Sequence, residues 1–392
     1  MYKSAFNELY KRQNKPFLAE MLNHSRGEIR ELSLNILYML TAEAKIGHPN
    51  EAIPIEENRQ AIIKCLNDPY LPARIEAIEI MGNYPEFPFD VMPILIDALK
   101  DPECGVRYAA VKTFGLGLGK DGKDEKEAIE ALVTRVKIDK EAIIRIEAIQ
   151  SLGYFRTTDP QVYEVLATAL FDEDPKVRRK SSGVLSKLGA SAHILDDMIA
   201  ALKDPDSYLR SDLLRAMQTL DSAELQRVVH AVAKLLEDES VHVREQALGV
   251  IRVAGPAGAD VLPALIKALS DKSDNIIVGS IRTLDALGPE HARKALPELL
   301  DLIRHENSRS LGVVARIMAT IGEPALSPLI EMLSHNKFQV RGNSASILGS
   351  FGPAAEVAVP KLTSIYEDEN EQETVRRQAY FAIGNITGKN PE

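Results

Sequence analysis

In the run FGLGLGKDGKD, Gly115, Gly117, Gly119 and Lys120 have the composition of a loop whose backbone N–H groups cradle a phosphate while a lysine meets its charge. The spacing does not complete it. Such a loop needs glycine where Phe114 stands and a hydroxyl residue where Asp121 stands, and the run follows a helical pattern instead of a strand. Just beyond, Asp121, Asp124 and Glu125 lack the ordered alternation of a calcium loop. His24, His305 and His335 are metal-ligand types, but they recur at one point of a repeating pattern, in series along an edge and not converging on one ion. No GxSxG nucleophile turn is present, and neither Cys65 nor Cys104 neighbours a histidine that could activate a thiolate. These residues predict no catalytic centre, no metal and no cofactor.

The pattern that carries the histidines predicts the fold. Aligning the chain on an arginine that follows a branched apolar residue gives Arg30, Arg74, Arg107, Arg145, Arg178, Arg210, Arg244, Ile277, Leu311, Arg341 and Arg376, where two positions lack the arginine. Neighbouring anchors lie 30 to 44 residues apart, the period of helical-hairpin solenoids. Seven residues after the anchor all eleven repeats carry a large apolar side chain, from Leu37 to Ile383. Three after it most carry Ser or Ala, with Leu213 and Val314 as exceptions. Offsets of −1, +3 and +7 share one helical face, and a small residue in its middle lets a neighbouring helix approach. Six residues before the anchor stand Asp68, Asp101, Asp139, Asp172, Asp204, Asp238 and Asp271, often followed by Pro, which reads as a turn and a capped helix start. Apolar-periodic segments such as DVMPILIDAL precede these turns, and Gly189, Gly255, Gly288, Gly322 and Gly352 lie eleven residues past their anchors, where a helix end favours a left-handed residue. Each repeat is therefore helix, turn, helix, stop. Residues 41–58 and 119–127 lengthen two repeats and read as polar surface loops. With no low-complexity linker, residues 1–392 read as one continuous domain.

Composition sets the setting. With 45% hydrophobic but only 5% aromatic residues and no Trp, the core must be built mainly of Leu, Ile, Val and Ala. A formal net charge of −10 argues against general nucleic-acid binding. Two cysteines without CxxC spacing fit a reducing cytoplasm. The start, MYKSAFNELYKRQNK, is polar where a secretory segment is apolar, and no uncharged apolar run approaches the roughly 20 residues of a membrane span, so no membrane insertion is expected.

The pattern LxDPxxxVRxxAxxxLGxxG resembles the HEAT-repeat family, particularly its short bacterial-type repeats as in bilin-lyase-like HEAT proteins, over residues 16 to 388. The resemblance implies an all-α superhelical solenoid of about eleven helical hairpins, in which the Asp and Arg columns form a ladder between repeats. It implies little about activity, because family members are scaffolds, transport receptors and occasional enzymes. Deoxyhypusine hydroxylases are such enzymes and draw iron ligands from several His-Glu dipeptides, whereas only His305-Glu306 has that order here. No bilin pocket is identifiable, and the basic aromatic face of the HEAT-like DNA glycosylases is absent. An enzyme of the deoxyhypusine-hydroxylase kind, or a bilin-lyase-like cofactor-handling protein, remains the alternative reading.

Second helices of stacked hairpins line the concave face of a solenoid, which puts the columns at +1, +2 and +5 against any bound partner. Ile75, Tyr108 and Ile146 at +1 lie beside Glu76, Glu79 and Glu147. Farther along the chain these columns hold Arg179, Lys180, Arg215, Arg282 and Arg316, interrupted by Asp212 and Glu245, with Gly249 leaving an opening among the arginines. The expected function is a non-catalytic scaffold that binds a partner protein or peptide along this face, through an apolar-acidic end and a basic middle.

Overall fold

Every anchor falls inside an α-helix, and among the described residues every regular element is helical. The computed structural model describes residues 20–46, 55–83, 92–115, 125–155, 157–304, 310–389 and 391. By contact these divide into two compact units, Met1–Leu188 and Gly189–Glu392.

The amino-terminal unit contains α1 (Gly27–Ile46), α2 (Ile55–Cys65), α3 (Leu71–Asn83), α4 (Met92–Ala98), α5 (Cys104–Gly115), α6 (Glu125–Ile138), α7 (Ala142–Phe155), α8 (Pro160–Ala169) and α9 (Pro175–Leu188). The anchored helices α1, α3, α5, α7 and α9 pack each on the next, and α4, α6 and α8 form the second layer. The +3 and +7 side chains fill the space between layers: Ser33, Ala77, Ala110, Ala148 and Ser181 are buried, as are Leu37, Met81, Phe114, Leu152 and Leu185. At native packing density, truncating one of the larger of these to Ala costs about 2–5 kcal/mol.

The carboxy-terminal unit contains α10 (Leu195–Ala201), α11 (Ser207–Met217), α12 (Ser222–Lys234), α13 (Val241–Ala254), α14 (Leu262–Ala268), α15 (Asp274–Ala286), α16 (Pro289–Lys294), α17 (Leu296–Arg304), α18 (Leu311–Ile321), α19 (Glu323–Met332), α20 (Phe338–Gly349), α21 (Val359–Glu367) and α22 (Glu373–Thr387). Its anchored series runs α11, α13, α15, α18, α20, α22. The five glycines expected at helix ends all take positive φ, from +53° at Gly255 to +94° at Gly288. The stretch Val241–Ala268 is long and apolar enough, by length and composition, to cross a membrane. It is two helices, α13 and α14, broken at Gly255, and Val243, Ala247, Val250, Ile251 and Leu265 are buried inside this unit.

Both lengthened repeats hold less loop than expected. Helix α1 continues through residues 41–46 and α2 starts at Ile55, so residues 47–54 lie outside the described part. In the glycine-rich run Gly115 ends α5 and Glu125 opens α6, while Gly117, Gly119, Lys120, Asp121 and Asp124 lie outside the described residues. Helix α5, not a strand, leads into that run.

Candidate functional site

The arginine and aspartate columns meet between repeats. Arg30 donates to Asp68 at 2.6 Å, Arg107 to Asp139 at 2.8 Å, Arg145 to Asp172 at 2.7 Å, Arg210 to Asp238 at 2.7 Å and Arg244 to Asp271 at 2.9 Å. Arg74 lies 3.4 Å from Asp101. Each arginine also donates to the carbonyl six residues before it, as Arg107 does to Asp101 and Arg210 to Asp204, so one guanidinium closes its own turn and grips the next. The carboxylate completes the turn by accepting the N–H two residues on, from Tyr70 to Asp68 and from Ser240 to Asp238. Helix capping falls to another residue: Asp206, two after the column, accepts from Tyr208. Burial alone would raise the Asp68 and Asp139 carboxyls, but the hydrogen bonds from Arg30 and Arg107, and from the turn N–H groups, hold them below the usual range.

The histidines in the aspartate column do the same turn work. Nδ1 of His24 accepts from the Arg26 N–H at 3.1 Å, and Nδ1 of His335 from Lys337 at 3.2 Å. That role uses up the nitrogen lone pair a metal would need. His305, like Glu306, lies outside the described residues, and among the described residues no group of three or more His, Cys, Asp or Glu could hold a metal ion. Cys65 and Cys104 are unpaired, and burial pushes the Cys65 thiol up to about 11, which makes it a poor nucleophile.

In the amino-terminal unit the expected binding columns are half-buried and partly committed. Ile75 packs toward Gly105 of the next repeat, where an added Cβ would come within 3.0 Å of its Cδ1. Glu76 is half-buried, and burial first, then Glu79 and Glu31, raise its carboxyl, against a hydrogen bond from Asn35. Glu79 lies 3.9 Å from Lys112. Lys180 donates to Gln150 at 2.8 Å, Tyr108, Ile146 and Glu147 are half-buried, and Arg179 is exposed. The result is a surface of accessible carboxylates on α3 and α7, with the apolar strip partly spent on stacking.

In the carboxy-terminal unit the arginines are exposed but partly neutralised. Arg215 lies 3.4 Å from Asp212 and Arg316 lies 3.8 Å from Asp285, while Arg282 makes no ion pair among the described residues. Glu245 instead accepts from Asn275 at 3.0 Å. The opening expected at Gly249 is occupied by the Gln218 side chain, whose Nε2 lies 2.8 Å from where a Cβ would be.

One feature of this unit escaped the sequence reading. A cleft of about 350 Å³ crosses α18, α20 and α22, lined by Leu311, Gly312, Phe338, Gln339, Asn343 and Gln378 among others, with no charged side chain among the described residues of its lining. Gly312 and Gly342 occupy the +1 column, and Asn343 and Gln378 the +2 column. The signal was available as a loss of charge and size in those columns.

The sequence pattern of HEAT repeats matches residues 59–153, 129–218 and 296–384, more than half of the chain. The chain belongs to the HEAT-repeat family. No curated protein matches it. Solved structures share the fold of this HEAT-repeat chain at low identity: a mutant of Kap121p at 13% identity and TM-score 0.53, covering 98% of this chain and 51% of that one, and Kap121p bound to Ste12p at 15% and 0.52, covering 96% and 46%. The karyopherin Kap121p bound to the extreme C-terminus of the protein phosphatase Cdc14p matches at 15% and 0.51, covering 95% and 50%. The HEAT-repeat chain spans about half the length of these karyopherin chains. With repeat and fold in hand, the Arg and Asp columns are the contacts that join neighbouring repeats within each unit.

Proposed function

We propose that this HEAT-repeat protein is a non-catalytic scaffold that captures a partner protein or peptide on the exposed columns of its second helices. The observation that carries the reading is the division of labour among polar residues. The ladder arginines and aspartates are turned into stacking contacts, while Glu76, Glu147, Arg282 and the uncharged cleft on α18, α20 and α22 stay accessible. Solved structures of Kap121p, which share this fold, hold other proteins, in one case the extreme C-terminus of a protein phosphatase, and agree with such a use. The same reading places the chain in the cytoplasm, in keeping with its two unpaired cysteines.

Two charge-reversal sets test it, Glu76→Lys with Glu79→Lys and Glu147→Lys, and Arg215→Glu with Arg282→Glu. Each is expected to reduce capture of a partner from native extract without lowering Tm, with the effect weakening as salt rises. Capture that is the same in wild type and in both sets would remove these columns from the binding surface.

A further inference from the structure

Among the described residues, the cleft on α18, α20 and α22 is lined by glycines, amides, hydroxyls and apolar side chains and by no charged group. Three side-chain amides, Gln339, Asn343 and Gln378, line it and make no hydrogen bond to any described residue. Its wall is lowered at Gly312, where nothing lies within 4 Å of the Cβ position, and its lip carries Phe338, 38% exposed. An independent observation explains why the groove opens here. The anchors of α15 and α18 are Ile277 and Leu311, so no ladder arginine reaches out from either helix, and α18 touches α15 and α20 over less of its length than the other successive second helices of the carboxy-terminal unit touch one another.

From this chemistry we infer that the cleft seats an extended peptide segment of the partner, held mainly through its main chain. The lining favours a neutral ligand, because among the described residues no charged side chain lines the cleft to compensate a phosphate, carboxylate or ammonium taken out of water. It must offer donors and acceptors together, because each unpaired amide presents both an NH2 and a carbonyl oxygen. It must be elongated, because the amides are spread over two neighbouring helices, whose axes pack about 8–10 Å apart. A peptide backbone meets all three conditions, with N–H and C=O groups alternating along a strand that rises about 3.3 Å per residue. Phe338 and Leu311 then receive one apolar side chain of the segment, and the glycines let its backbone come close. The inference deepens the scaffold reading by naming the kind of segment this site takes.

The absence of Trp in the chain supplies the probe. In Phe338→Trp the only indole stands at the lip, and its fluorescence reports occupancy of the full-length protein. A displayed library of random peptides about a dozen residues long is selected on wild-type protein, and the enriched peptides are titrated against Phe338→Trp. The expected result is a saturable emission change, weakened about tenfold or more when Asn343→Ala and Gln378→Ala are added, with Tm unchanged. Gly312→Arg, which projects into the cleft from an open position, should abolish the change, and N-methylation of single main-chain amides in the peptide should weaken it as strongly as changing side chains does. Peptides that bind without perturbing the indole, survive both amide substitutions, or fail to be enriched at all overturn the inference. A small neutral compound that displaces nothing but saturates the signal does so too. In those cases the scaffold reading stands or falls separately, on capture by the charged columns.

Discussion

Arg210 and Asp238 expose 8% and 7% of their side chains, so each charge is compensated by its partner more than by water. Removing one strands the other. Arg210→Met is expected to cost about 3 kcal/mol or more, whereas Arg210→Met with Asp238→Asn, which keeps an acceptor for the Ser240 N–H, should recover most of that loss in urea denaturation. A double variant no more stable than the single one would show that the arginine matters for its carbonyl contact to Asp204 and not for the ion pair. Titration separates the two kinds of carboxylate in this molecule. Asp139 is held below the ordinary range, so the unfolded chain takes up its proton first, near pH 4, and the stability it contributes above that pH is lost as pH falls through the lower folded value. Asp139→Asn should therefore be less stable than wild type at neutral pH and lose less on acidification. Glu76 is raised by burial and by Glu79 and Glu31, so the sign reverses: its charge destabilises the fold above the unfolded value of about 4.3, and the penalty vanishes in acid. Glu76→Gln is expected to raise Tm at pH 7 and leave it unchanged near pH 3. If the gain persists at low pH, charge is not the cause.

The helices owe their length to stop signals as much as to apolar faces, and two glycines separate those effects. Gly288 holds φ of +94° with nothing near its Cβ position, so Gly288→Ala meets no clash and should still cost about 1–2 kcal/mol for backbone conformation alone. Gly312 lies inside α18 with equally open space, and Gly312→Ala should stabilise by about 0.5–1 kcal/mol. Equal effects of the two, read by thermal denaturation, would contradict this account. The same positions show what the sequence made legible. Gly288, the buried +7 side chains and the anchors could be read because each is a local backbone or helix-face requirement that recurs, the glycine in five repeats and the +7 apolar side chain in all eleven. Helical content around residues 41–46 could not, because α1 overruns the repeat and its extension has no second copy to compare with. The expected opening at Gly249 failed for a different reason: a column position shows which side chain is missing but not which neighbour, here Gln218, fills the space. The cleft on α18, α20 and α22 leaves little trace in the columns, because glycines and amides carry neither the charge nor the apolar bulk that marks a binding face in a sequence.

Along the whole chain, the ladder obeys a rule that couples one repeat to the next. From Asp68 after Arg30 to Asp271 after Arg244, aspartate occupies the turn column where the preceding repeat supplies an arginine, while after Arg341 the column holds Asn370 and the arginine pairs with Glu371, one residue on. Histidine occupies the column at His305 and His335, which follow Ile277 and Leu311. A carboxylate buried in that turn without a guanidinium would be costly, and a neutral imidazole accepts the same turn N–H without the charge, as His335 does from Lys337. In an array whose stability is a sum of repeat and nearest-neighbour terms, such a break weakens one interface without unfolding the rest. Restoring the pair tests this. His335→Asp alone keeps the turn acceptor but adds an unpaired charge, and should lower stability by about 1 kcal/mol. Leu311→Arg alone loses apolar burial and gains no carboxylate. Together they recreate the contact that Arg210 makes with Asp238, and the double-mutant cycle should show a favourable coupling of about 1–3 kcal/mol in urea denaturation, with slowed hydrogen exchange in α18 and α20. Because Leu311 lines the cleft, the same pair should also lower affinity for peptides selected on the wild type, tying the weak interface to the binding surface it opens. Zero coupling would show that something other than the missing ion pair separates these helices.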